Sequence, residues 1–157
     1  MSRFIYRMQN ILEIKEKMEE QAKNEFAAAN VRVMEEEELL QTFVDKRVRL
    51  EEAGKELLLA DRLSILDIDE NKKLVAHARE QIRAQTIQVR MAHKILEEKR
   101  QHMQAAMQER KTQEILKEKA FDEFLMEEKA AEGKEIDELT SYTHGQKKKT
   151  TGDDDGE

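Results

Sequence analysis

Apolar residues recur at alternating steps of three and four through a chain that contains no proline. From the N-terminus, Ile5, Met8, Leu12, Ala22, Phe26, Ala29, Val33, Leu40, Phe43, Leu50 and Leu57 keep this spacing or multiples of it. Such a seam buries one stripe of a helix against another helix. Lys15, Glu19, Glu36, Arg47 and Gly54 are its imperfect members, and a neighbouring frame through Phe4, Ile11, Met18 and Leu39 widens the apolar face. A second seam passes through Val75, Ala78, Ile82, Val89, Ala92, Leu96, Met103 and Ala106. It weakens across ERKTQEILKEK and resumes with Phe124, Leu125, Ala131, Ile136 and Leu139. No run alternates with period two between turn residues, so strands are excluded. The expected fold class is all-α, a long antiparallel two-helix coiled-coil hairpin.

Composition agrees with a thin core. Of 157 residues, 38% are hydrophobic and 40% are charged, so one narrow stripe is all the chain can bury. Low hydrophobicity with high charge also marks unfolded chains, but the apolar period and the missing proline argue against disorder over residues 4 to 140. Cysteine is absent, which rules out disulfides and thiolate metal sites. No apolar run approaches the roughly eighteen residues that span a bilayer, and the opening MSRFIYRMQNILEIKEK lacks the uninterrupted core of a secretory signal. A soluble intracellular protein is expected. The net charge of −7 disfavours nucleic acid as a partner.

The stretch GKELLLADRLSILD, residues 54–67, interrupts the pattern. Ser64 stands three residues before Asp67, a capping-box-like arrangement that opens a new helix. Gly54 suits the end of the first helix. A glycine tolerated inside a continuous helix, at a cost of about 1 kcal/mol, is the alternative. The expected organisation is helix 1 over about 4–57, a turn over about 54–64, and helix 2 over about 65–140. A disordered polar tail follows over 142–157. Leu57 to Leu59, Ile65 and Leu66 are expected to seal the apex.

A reversal near residue 60 sets position i opposite roughly 121 − i. Residues 13–56 carry 13 acidic and 8 basic side chains, whereas residues 81–119 carry 9 basic and 5 acidic. An antiparallel hairpin thus places opposite signs side by side, with Glu35 to Glu38 near Arg83 and Arg90, and Glu19 and Glu20 near Lys99 and Arg100. A parallel dimer would stack Glu35 to Glu38 on their copies. The longer second helix leaves an end with 8 acids and 2 lysines between residues 120 and 139. Phe121, Phe124 and Leu125 there need either another molecule or a shift of Phe4, Ile5 and Ile11 to cover them.

Chemistry is not legible in the pattern. Gly54-Lys55 and Gly133-Lys134 are each followed by Glu and lack the earlier glycine of a phosphate loop. The histidines, His77, His93, His102 and His144, show neither H-E-x-x-H nor the Glu-x-x-His spacing of a bundle metal site. No catalytic residue, metal or cofactor is expected, and the chain is read as a non-enzyme.

Both ends resemble a known family. FIYRMQNILEIKEKMEEQAKNEF is similar to the opening of FliJ, the coiled-coil protein of the flagellar type III export apparatus, and EEKAAEGKEIDEL resembles its C-terminal signature, with Asp137 and Glu138 at its acidic pair. The resemblance spans about residues 3 to 141. It implies a stalk that binds the hexameric export ATPase FliI, couples it to the export gate FlhA and assists export chaperones, without entering the membrane. It implies a cytoplasmic protein, peripheral at the inner-membrane export apparatus and serving motility. On the family pattern, Met8, Ile11, Leu12, Phe121, Phe124 and Leu125 would face the ATPase, and Leu74, Ala78, Gln81 and Gln85 the gate. The stalk of a virulence-type secretion system and a generic structural coiled-coil dimer are the rival readings.

Overall fold

The computed structural model describes residues 2–151. The described residues form two α-helices, α1 (Gln9–Leu59) and α2 (Ile65–Thr151), which pack against each other antiparallel. No strand occurs among the described residues. In α1 every position of the three-four ladder from Leu12 to Leu57 is withdrawn from solvent, the polar members Lys15, Glu19, Glu36 and Arg47 included. In α2 the ladder runs from Ile68 to Phe124 without a gap. Across residues 109–119, where an apolar reading weakens, Arg110, Gln113 and Lys117 hold the ladder positions with their aliphatic stems.

The chain divides into two compact units. One is Lys17–Gln108. Its core is narrow and rich in alanine: Ala22, Ala29 and Val33 are buried on α1, and Ala78, Ala92 and Ala106 on α2. Its register is set by two cross-helix hydrogen bonds, Asn71 on Leu50, part-buried, and Gln85 on Glu36, buried. The residue numbers of both pairs sum to 121, the register expected from a reversal near residue 60.

Flanking charges close less regularly than the pattern suggests. Lys99 meets Glu25 at 3.3 Å, Arg79 meets Glu51 at 3.4 Å and His93 meets Glu37 at 2.9 Å. Arg83 and Arg100 turn instead to Glu80 and Glu97 on their own helix. Residues three apart on one helix are already neighbours, so the local partner costs less side-chain entropy.

The apex corrects two expectations. Gly54 does not end α1. The helix passes through it to Leu59, and no described glycine has a positive φ. Its lack of a side chain serves packing: a Cβ there would collide with the amide of Asn71, which donates to the Leu50 carbonyl at 2.9 Å. The expected seal also fails. Leu57 is half-buried, but Leu58, Leu59, Leu63, Ile65 and Leu66 are exposed, Leu59 at 84%. Beyond the last ladder positions, Leu57 and Ile68, neither helix has an opposite partner to cover an apolar side chain. The Ser64 cap does form, its hydroxyl accepting from the Asp67 backbone N–H at 3.3 Å.

The other unit joins residues 1–16 to 109–157. Here α1 begins at Gln9, not near residue 4, because Phe4 is drawn onto Phe121 and Phe124. α2 continues through residues 142–151, where a polar tail is expected. Thr140 donates to the Ile136 carbonyl at 2.7 Å, Gln146 to the Tyr142 hydroxyl at 2.9 Å, and Lys148 and Lys149 in the last turn suit the negative end of the helix dipole. The remainder of that expected tail, residues 152–157, lies outside the described residues. From Lys129 to Lys149 every residue is exposed.

Candidate functional site

The terminal surface lies wholly in the unit of residues 1–16 and 109–157. Phe4 stands edge-on to Phe121 with ring centroids 5.2 Å apart and tilted against Phe124 at 5.4 Å. Phe121 and Phe124 are 6.4 Å apart and stacked. This trio anchors the segment before α1 through the ring of Phe4. Met8, Ile11, Phe121 and Leu125 are exposed, Phe124 is half-buried, and Leu12 is buried at 3%. Leu12 therefore builds the floor and cannot offer its side chain to a partner. Lys15 fixes the neighbouring turn by an ion pair to Glu109 at 2.9 Å.

The other four residues lie on the first turns of α2 in the unit Lys17–Gln108. Leu74 is exposed. Ala78 has no exposed area at all, and Gln85 is buried with its amide on Glu36. Gln81 is half-buried and accepts from the Lys46 ammonium at 3.5 Å. Ala78 and Gln85 are ladder positions and are committed to α1, whereas Leu74 and Gln81 each stand one residue before a ladder position, Val75 and Ile82.

Sequence reasoning missed two features. One is the exposed apolar apex described above. The other is a cleft of about 690 Å³ beside Gly54, floored by Leu58, Ile68 and Val75 and rimmed by Lys55, Lys72 and Arg79. Its only signal was the glycine, which a sequence reading assigns to a helix end as readily as to a close approach.

Glu97 is held below the usual carboxylate range, first by its hydrogen bond from Arg100, and Arg100 is raised by the same bond. Among the described residues no group of three or more His, Asp or Glu is placed to hold a metal ion. No helix there is long and apolar enough to cross a membrane.

Two long helices packed against each other, with no strand among the described residues, define an all-α helical hairpin. The family model described as "Flagellar FliJ protein" matches residues 4–149, and the chain belongs to the FliJ family. That makes it a component of flagellar protein export. No curated protein and no solved structure matches the chain.

Proposed function

We propose that the chain is the stalk of the flagellar export ATPase, binding the hexamer FliI through its terminal surface and coupling it to the gate protein FlhA. The family match over residues 4–149 carries this reading. Exposed Met8, Ile11, Phe121 and Leu125 supply the apolar contacts that an ATPase ring would cover. Phe124 supports them from beneath, and Leu12 holds the turn on which Met8 and Ile11 stand. At the gate, Leu74 and Gln81 make the contact, while Ala78 and Gln85 keep that part of α2 in place. The same rod engages export chaperones. It works at the cytoplasmic face of the inner membrane and has no active residues of its own. A flagellar family match favours this over a virulence-type stalk or a generic dimer.

The decisive measurement is ATP turnover by purified FliI with and without this chain. Stimulation is expected, with loss in Leu125→Glu and in Met8→Glu. Neither stimulation nor detectable binding would overturn the reading. For the gate, Leu74→Asp is expected to weaken binding to the cytoplasmic part of FlhA without changing FliI turnover.

A further inference from the structure

The segment before α1 has the character of a ligand seated on α2. Residues 2–6 are not helical, and Arg3 and Arg7 flank Phe4. These three residues share an open cleft of about 430 Å³ with Glu123, Phe124 and Glu127 of α2. The apolar ring meets Phe121 and Phe124, and the two arginines line the same cleft as Glu123 and Glu127, so the cleft offers opposite charge beside the aromatic contact. The grip is by side chains. The backbone bonds of the segment, from Gln9 to Tyr6 and from Ile11 and Leu12 to Met8, stay within the start of α1. One group opposes the closed arrangement, because the Tyr6 hydroxyl is buried without a hydrogen-bond partner.

We propose that the α2 face of Phe121, Glu123, Phe124 and Glu127 is a receptor for an extended segment carrying an aromatic residue flanked by arginines, and that residues 2–8 occupy it as a displaceable strap. A partner segment of that chemistry binds by taking the place of Phe4. Its apparent affinity is reduced by the fraction of chains whose strap is closed, so loosening the strap strengthens binding in trans. This goes beyond the stalk reading and is tested without the ATPase.

The probe is a fluorescent synthetic peptide of residues 2–9, SRFIYRMQ, titrated against the full-length chain by anisotropy. Phe4→Ala is expected to bind it roughly tenfold more tightly than wild type. Phe4→Leu, which keeps apolar bulk at the anchor and guards against a folding defect, is expected to fall between them. Added salt should weaken binding, because the arginines contribute. Phe4→Ala combined with Phe124→Ala should lose it, as should a peptide with alanine in place of phenylalanine. Equal binding to wild type and Phe4→Ala, binding to neither, or binding that ignores Phe124 would overturn the proposal. So would wild-type chain that dimerises in sedimentation and becomes monomeric on Phe4→Ala, since the face would then serve strap exchange between copies.

Discussion

The side-chain amide of Gln85 donates to the backbone carbonyl of Glu36 at 2.9 Å, across the ladder and between buried residues. The same amide reaches the Glu36 carboxylate, whose other oxygen takes Arg32 at 2.7 Å. Polar pairs of this kind fix register in two-helix packing at some expense of stability. Gln85→Ala, which takes the cross-helix donor from the Glu36 carbonyl and leaves its carboxylate to Arg32 alone, should cost about 1–3 kcal/mol in urea unfolding. Glu36→Leu with Gln85→Leu should be close to neutral. Register should loosen in that double variant, visible as additional cross-helix cysteine pairs formed on oxidation of introduced probes.

Gly54 and Asn71 should behave as one unit. A helical glycine replaced by alanine normally gains about 1 kcal/mol. Here the new methyl collides with Asn71 and breaks its bond to Leu50. Gly54→Ala should therefore fail to stabilise the wild type and stabilise Asn71→Ala, with a coupling of about 1 kcal/mol in a double-mutant cycle. Equal effects in both backgrounds would remove packing as the reason for the glycine.

Ala78 has no room to grow, being fully buried against α1. Ala78→Leu should destabilise by about 1–3 kcal/mol. Ala84→Leu, at an exposed position of the same helix, should stay within about 0.5 kcal/mol. Thermal melts followed by circular dichroism separate the two.

Glu97 has a depressed folded-state pKa, caused first by the hydrogen bond from Arg100. Its contribution to stability is present above the unfolded-state value and is lost as pH falls through the folded one. Both side chains are exposed, so the effect on stability is small. NMR titration of the Glu97 side-chain carbon should show the depression, and Arg100→Ala should return it to the ordinary carboxylate range. An unchanged titration in that variant would assign the shift to another cause.

Much of the architecture was legible because a seam is a local periodicity. Leu12, Ala22, Ala29 and Val33 lie on it in the sequence and in the core alike, and Ser64 caps α2 as its spacing predicts. The misreadings share a cause: each concerns a residue whose neighbour is distant in sequence. Gly54 is small because of Asn71. Phe4 is anchored by Phe121, whereas Ile5, on the extrapolated seam, is 79% exposed because the helix has not yet begun there. At the apex, apolarity was taken for burial, although Leu58 and Leu66 lie past the end of the mutual helix contact. For the candidate contact residues, the family pattern could not separate Leu74, which faces solvent, from Ala78, which is fully buried.

The alanines at 22, 29, 78, 92 and 106 have a mechanical corollary within Lys17–Gln108. Small side chains let two helix backbones lie closer than leucine layers would. Two parallel struts resist bending in proportion to the square of their spacing, whereas their resistance to compression does not depend on it. At the level where the register sets Ala29 against Ala92, the pair therefore yields to a sideways load more readily than a leucine layer would.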